Sequence, residues 1–281
     1  MKLDVSEKVI VVTGGAGVLG GTFARKLAAE GAKVAILDID VEKGQEIVNE
    51  IEASGGQALA LECDVLQKEM VKEAREQIKN KFGVCDILIN GAGGNHPSGT
   101  TSKETFSLKD LESDDSNLMT FFDLEKEGFE FVFNLNIMGT LIPTQIFARD
   151  MVQKDSSTII NISSMAAFSP MTKVPAYAAA KAGISNFTEF LAVHLAEEGI
   201  RVNALAPGFF LTEQNRELLT EEDGSPTPRC KKIISQTPMR RLGDPEELLG
   251  TLLWLCDEEA SGFVTGVVVP VDGGFMSYSG V

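Results

Sequence analysis

Tyr177 and Lys181 stand four residues apart in the segment Ala-Tyr-Ala-Ala-Ala-Lys, and Ser164 lies thirteen residues upstream of the tyrosine. Side chains at i and i+4 meet on one face of a helix, and the three intervening alanines favour a helix there. An ammonium beside a phenol stabilises the phenolate, so this spacing predicts a tyrosine whose pKa falls below its ordinary value of about 10. Such a phenol can give and take a proton near neutral pH. The chain holds only two tyrosines, so this one is not drawn from a crowd. A lone Tyr-x-x-x-Lys pair also arises by chance on a solvated helix, and it takes its meaning from what surrounds it.

Short apolar runs alternate with helical patterns along the chain. Strands are expected over 8–13, 33–38, 57–62, 86–90, 157–163, 200–205 and 267–271. Helices are expected over 18–30, 41–54, 67–82, 175–198 and 245–257, with another ending near Val152. Strands that are apolar throughout and separated by helices imply a parallel sheet covered on both faces. That is the doubly wound α/β (Rossmann) architecture, here with about seven strands in a single domain spanning 1–281. Two long segments break the rhythm: an acidic insertion at 94–128, and 209–238, which contains Ser225-Pro226-Thr227-Pro228. Each follows a strand end, where ligands bind in such sheets. The second is expected to be a mobile substrate lid, the plainer alternative being a tolerated surface insertion.

The first strand runs into Thr13-Gly14-Gly15-Ala16-Gly17-Val18-Leu19-Gly20 and then a helix. Glycines let the backbone turn tightly and approach a pyrophosphate, and the helix N-terminus supplies free N–H groups. Gly15-x-Gly17-x-x-Gly20 satisfies the dinucleotide fingerprint, which gains force from its place between strand and helix. Asp38 ends the second strand, where an acid accepts hydrogen bonds from the ribose hydroxyls of NAD and repels the 2′-phosphate of NADP. NAD is therefore the expected cofactor, in preference to NADP. The plainer role for Asp38 is a turn or helix cap.

Composition narrows the classes of partner. The 281 residues carry a net charge of −16, which argues against a nucleic-acid backbone or an anionic membrane surface. No run of about 18 uninterrupted apolar residues suggests a membrane-spanning helix, and the first eight residues lack an apolar signal core. Cys63, Cys85, Cys230 and Cys256 form no Cys-x-x-Cys pair, so reduced thiols in a cytoplasmic protein are expected. With only His96 and His194, no histidine-rich metal site is expected, and the predicted ligands are small molecules.

Taken together these residues resemble the short-chain dehydrogenase/reductase family over nearly the whole chain. The loop from Thr13 to Gly20 is similar to its Thr-Gly-x-x-x-Gly-x-Gly turn, departing at Val18, where the family usually has glycine. Cys63-Asp64-Val65 matches the stretch that contacts adenine. Asn90-Gly91-Ala92-Gly93 matches its Asn-Asn-Ala-Gly, with Gly91 in place of the second asparagine. Asn136, Ser164, Tyr177 and Lys181 match its catalytic residues. Pro207-Gly208 and Thr212 match a turn at the nicotinamide amide, and Asp272-Gly273-Gly274 a C-terminal signature. Gly93-Gly94-Asn95-His96-Pro97, the acidic insertion, Phe121-Phe122-Asp123-Leu124 and Val18-Leu19 give a narrower resemblance to that family's D-mannonate oxidoreductase (fructuronate reductase) branch.

The resemblance implies hydride transfer between NAD(H) and a carbonyl or secondary alcohol. Gly14, Gly15, Gly17, Val18, Leu19, Gly20, Asp38, Asp64, Val65, Asn90, Gly91, Ala92, Tyr177, Lys181, Pro207, Gly208 and Thr212 are then expected at the cofactor. Tyr177 is implied as the proton donor and acceptor, Ser164 as a hydrogen-bond donor to the carbonyl oxygen, and Lys181 as the group that acidifies the phenol and holds the nicotinamide ribose. Asn136 is implied to order a relay water, its plainer role being a helix kink. A sugar-acid substrate such as D-mannonate or D-fructuronate needs a cation for its carboxylate, and Arg216, Arg229, Arg240 and Lys173 are candidates, with His96 as a further substrate contact. The alternatives are a reductase of another carbonyl substrate, such as a 3-oxoacyl thioester or a polyol, and a non-catalytic NAD-binding protein. Family members are commonly homotetramers or homodimers, and the segments Phe129 to Met151 and Pro175 to Glu198 are the implied interface.

Overall fold

Successive side chains of a strand point to opposite faces, and in the central strands both faces are apolar. Ile10 and Val12 enter one core while Val9 and Val11 enter the other; Val34 and Ile36 are likewise divided from Ala35 and Leu37. This two-sided burial is why the strands read as unbroken apolar runs. The computed structural model describes residues 3–280. Its strands are β1 (Val9–Thr13), β2 (Lys33–Asp38), β3 (Gln57–Glu62), β4 (Ile87–Asn90), β5 (Ser157–Ile162), β6 (Ile200–Pro207) and β7 (Val268–Val271). They form one parallel sheet in the order β3-β2-β1-β4-β5-β6-β7.

The α-helices among the described residues are α1 (Val18–Ala29), α2 (Val41–Ala53), α3 (Lys68–Lys81), α4 (Lys126–Phe133), α5 (Gly139–Met151), α6 (Pro175–Leu195), α7 (Glu213–Leu219), α8 (Pro228–Gln236), α9 (Leu249–Cys256) and α10 (Glu258–Ser261). Phe23 and Leu27 of α1, Ile47 and Ile51 of α2, and Leu252 and Leu255 of α9 cover one face of the sheet. Val71 and Ile78 of α3, Ile146, Phe147 and Met151 of α5, and Leu191 of α6 cover the other. Local signals set the helix ends. The Asp40 carboxylate accepts from Lys43 N at 3.1 Å to start α2. Pro175 opens α6 at a position where its missing N–H costs nothing, and Gly199 closes the following turn at φ 72°.

The chain runs outward from β1 to β2 and β3, then returns to place β4 on the other side of β1. The connections after β1 and β4 therefore lead away in opposite directions, the topological switch point at which such sheets bind ligands at the carboxyl ends of their strands. A five-residue π turn, Asn134–Met138, joins α4 to α5. The stretch Lys126–Met151 is long and apolar enough to cross a membrane by length and composition, but Val132, Ile146, Phe147 and Met151 are buried in the protein's own cores.

The two irregular segments are more structured than their polarity suggests. Residues 94–128 contain three short 3₁₀ turns and the first residues of α4, and Thr101 N donates to Lys173 O at 2.8 Å. Residues 209–238 contain α7 and α8, packed together through Leu219, Cys230 and Ile233. The Thr227 hydroxyl accepts from Cys230 N at 3.2 Å and Pro228 occupies the first turn, which starts α8.

Candidate active site

The glycine loop is shaped by two contacts that exclude a side chain. Gly14 has φ +64°, and a Cβ there would lie 2.8 Å from Ala92 N. A Cβ on Gly20 would lie 2.3 Å from Gly14 O. Gly17 sits in extended backbone as the N-cap of α1, with no side-chain cap, and no acidic residue occupies the helix's first turn. The first N–H groups of α1 thus meet no carboxylate of their own helix turn, as an anion site requires. Val18 is the first residue of α1. The Asp38 carboxylate accepts from Ala16 N at 2.9 Å and from Asp40 N at 3.1 Å. It therefore does fasten the turn, and it does so at the carboxyl end of β2 beside the glycine loop.

The loop after β4 is tied to the same turn. Thr13 Oγ1 accepts from Gly91 N at 3.1 Å and Ala92 N at 3.2 Å. A Cβ on Gly91 would lie 2.7 Å from Thr13 O, so glycine lets the two turns approach closely here. Asn90 is buried, and its amide donates to Asn161 Oδ1 at 2.8 Å and Thr144 Oγ1 at 3.0 Å. Asn161 donates in turn to Thr188 Oγ1 at 2.9 Å. This chain of buried amides and hydroxyls locks β4, β5, α5 and α6 together below the site. Sequence reasoning passed over Asn161, although a lone asparagine inside Ile-Ile-Asn-Ile is a signal that a buried partner is required.

Asn136 and Lys181 face one another across Gly93. A side chain built on Gly93 would lie 2.7 Å from Asn136 Oδ1 and 3.2 Å from Lys181 Nζ. The Asn136 amide donates to Gly94 O and Val132 O, each at 2.8 Å. Its Oδ1 is among the buried side-chain atoms that have no hydrogen-bond partner within the described residues. Asn136 also lies in the π turn, so the kink and a buried, unpartnered acceptor coexist.

Lys181 is 5 % exposed, its Nζ donates to Ile162 O at 2.7 Å, and it stands 5.7 Å from the centre of the Tyr177 ring. Burial lowers its pKa to about 8. Tyr177 is half-buried against Phe129, Val132, Ala176 and Ala180. Its pKa is raised by burial, with the Ser164 hydroxyl pulling the other way as a hydrogen-bond partner. The expectation of an acidified phenol is thus corrected: desolvation of the phenolate outweighs the Ser164 hydrogen bond. Ser164 is buried at the end of β5, where its Oγ accepts from Ala166 N at 3.1 Å. Its neighbour Ser163 turns inward, bonded to Ser185 Oγ at 2.8 Å and Lys181 O at 3.2 Å.

The other predicted residues spread around this centre. Asp64, after β3, accepts from Leu66 N at 2.9 Å, and Val65 is buried with its Cγ2 3.1 Å from a Cβ built on Gly139. Pro207 ends β6, and Gly208 N donates to Val271 O at 2.9 Å, so close to Asp272 that a Cβ would fall 2.6 Å from its Cα. Thr212 is the N-cap of α7 and donates through its N–H to Asn215 Oδ1 at 2.8 Å. His96 is half-buried; its Nδ1 accepts from Ser98 N at 3.2 Å and its ring lies 4.9 Å from that of Phe131. Arg216 is exposed on α7, and the Arg240 guanidinium donates to Ser235 O. No group of three or more His, Cys, Asp or Glu among the described residues is arranged to hold a metal.

This arrangement, a glycine turn at a helix start in a doubly wound sheet with a Tyr-x-x-x-Lys helix beside it, has close parallels. Residues 8–223 match the family model for short chain dehydrogenases. An uncharacterised oxidoreductase of Bacillus subtilis (strain 168), UxuB, is 55 % identical over 99 % of this chain and 98 % of its own. An uncharacterised oxidoreductase of Haemophilus influenzae (strain ATCC 51907 / DSM 11121 / KW20 / Rd) is 54 % identical over 99 % and 96 %. A crystal structure from Haemophilus influenza, described as that of a candidate D-mannonate oxidoreductase with bound NAD, superposes with a TM-score of 0.93 at 53 % identity, covering 99 % of this chain and 98 % of that one. The chain belongs to the short-chain dehydrogenase/reductase family. It is an oxidoreductase that acts on CH–OH groups with a nicotinamide cofactor.

Proposed function

We propose that this enzyme transfers hydride between NAD(H) and a sugar acid of the D-mannonate/D-fructuronate kind. The observation that carries the reaction is the convergence of Ser164, Tyr177, Lys181 and the unpartnered Asn136 Oδ1 at the carboxyl ends of β4 and β5. The sugar-acid reading is supported by the D-mannonate assignment of the Haemophilus structure and by the His96-bearing insertion.

The residues fit a dinucleotide. Gly14 and Gly20 keep the turn clear of side chains, the uncapped start of α1 favours the pyrophosphate, and Asp38 favours ribose hydroxyls over a 2′-phosphate. Asp64 and Val65 would border the adenine, while Pro207, Gly208 and Thr212 would border the nicotinamide amide. When bound, the nicotinamide supplies or accepts the hydride. On the protein's side, Tyr177 delivers its proton to the carbonyl oxygen in reduction and removes the alcohol proton in oxidation. Ser164 donates a hydrogen bond to that oxygen, where negative charge grows. Lys181, with a pKa near 8, exchanges protons readily near neutral pH, and Asn136 Oδ1 is the acceptor that holds a water between it and solvent. The α7–α8 segment serves as the substrate lid, and the enzyme works in the cytoplasm as a homodimer or homotetramer.

A panel of uronates, aldonates and polyols with NADH, NADPH and their oxidised forms, followed by absorbance of the reduced nicotinamide, tests this reading. Preferred turnover of a hexonate or its keto form with NAD(H) is expected. Turnover confined to a thioester, or to neutral ketones, would refute it.

A further inference from the structure

Both ends of the 209–238 segment rest on one turn near the C-terminus. The first end leaves β6 beside the catalytic serine: Ser163 N donates to Leu205 O at 2.8 Å, and Pro207 pairs with Val271 of β7. Phe209, the next residue after Gly208, meets Phe275 edge to face, with ring centres 5.4 Å apart at 71°. Phe209 also packs against the Leu219, Cys230 and Ile233 cluster that joins α7 to α8. The second end returns to the same place. Just past it, Met239 N donates to Gly273 O at 3.1 Å. A Cβ on Gly273 would lie 2.9 Å from Thr237 Cγ2, and one on Gly274 would lie 3.1 Å from Pro238 Cγ. Asp272 shapes the turn between these contacts. Its carboxylate accepts from Gly274 N and Met276 N, each at 2.8 Å, which brings Phe275 round to Phe209. Arg240 holds φ at 58°, a conformation that a non-glycine residue keeps only where its surroundings impose it.

We propose that Asp272 and Phe275 are positioning residues for substrate binding: their turn is a shared seat that fixes both roots of the lid beside the site. The inference rests on the reading of 209–238 as a lid and deepens it. A segment held at one root swings about it, whereas one seated at both roots on the same turn has few arrangements left. Ordering α7 and α8 over the substrate then costs less conformational entropy, which strengthens binding and leaves the chemical step alone. Neither residue acts by touching the substrate. Phe275 acts through Phe209, and Asp272 through the backbone that carries Phe275.

Amide hydrogen exchange read by mass spectrometry, together with steady-state kinetics on D-fructuronate and NADH, tests it. In Phe275→Ala, exchange within α7 and α8 should quicken about tenfold or more while β1, β4 and β5 exchange as in wild type. KM for D-fructuronate should rise about fivefold or more, with KM for NADH within about twofold and kcat little changed. Asp272→Ala should move the same readouts in the same direction. Phe275→Tyr, which keeps the ring, should behave as wild type. Unchanged exchange in α7 and α8 of Phe275→Ala would overturn the inference. So would quickening that spreads equally to the central strands, which would make the turn a general support of the fold. If no carboxylate-bearing substrate is turned over, the sugar-acid reading falls, and the exchange result still decides this inference. If wild-type exchange in α7 and α8 is slowed neither by NADH nor by the unreactive pair of NAD with D-fructuronate, the lid reading falls and this inference with it.

Discussion

Replacing Lys181 by methionine isolates the electrostatic cost of the site from its chemistry. Lys181 is 5 % exposed and its pKa drops from 10.5 to about 8 because its ammonium is desolvated. The sign follows from linkage. Above about pH 10.5 the lysine is neutral in both folded and unfolded chains and folding bears no penalty; below about pH 8 the folded chain must hold a charge it disfavours. A gap of about 2.5 pH units, at about 1.4 kcal/mol each, gives an upper estimate of about 3 kcal/mol. The hydrogen bond to Ile162 O is lost at every pH and therefore subtracts out. Urea unfolding of wild type and Lys181→Met between about pH 7 and pH 11 should show wild type gaining up to about 3 kcal/mol on the variant as pH rises. A pH-independent difference would refute the assignment of a desolvated, titrating lysine beside Tyr177.

Four further outcomes are expected. Tyr177→Phe should lower turnover by about two orders of magnitude or more while NADH still binds, as read by nicotinamide fluorescence; near-normal activity would exclude the phenol as proton donor. Asp38→Asn removes the charge while retaining an acceptor for Ala16 N, and the ratio of kcat/KM for NADPH over NADH should rise by about tenfold or more; a constant ratio would sink the charge argument. Gly20→Ala places a methyl 2.3 Å from Gly14 O, so the thermal midpoint and NADH affinity should fall together, with a stability loss of about 1–3 kcal/mol; a variant indistinguishable in both would show that the turn relaxes freely. His96→Ala should raise KM for the sugar acid severalfold with kcat little changed; an unchanged KM would assign the imidazole to its contacts with Ser98 and Phe131 alone.

The strands were readable because each central one is buried on both faces, so its apolar run is continuous and its period unambiguous. The glycine loop was readable because its demands are steric: a positive φ at Gly14 and a backbone approach at Gly20 admit no other residue cheaply. The helices of 209–238 escaped notice because their exposed faces are polar, although Thr227-Pro228 is a helix-start signal. The π turn escaped because apolar residues continue on both sides of it, and only Asn134, Asn136 and Gly139 mark the break. The role of Asn161 cannot be read from spacing, since it joins Asn90 and Thr188 from elements distant in sequence.

The i, i+4 spacing placed Tyr177 and Lys181 correctly on one helix, yet their electrostatics came out opposite to the expected sign. A lysine acidifies a neighbouring phenol when it is charged and near enough to outweigh the phenol's desolvation. Here the alanines that favour the helix also bury it: Ala176 and Ala180 pack with Val132 around the tyrosine, and Lys181 turns its ammonium to Ile162 O. Burial then drives both groups toward their neutral forms. A neutral phenol is the form that can donate a proton to a carbonyl oxygen, whereas oxidation must first form phenolate against that same desolvation. The Ser164 hydroxyl is the contact that opposes burial of the phenolate. Removing it with Ser164→Ala should therefore move the acid limb of alcohol oxidation, below which Tyr177 is protonated, upward in pH, beyond the loss in rate from its missing hydrogen bond. An oxidation profile that keeps its pH midpoint in that variant would show that Ser164 serves the substrate oxygen only.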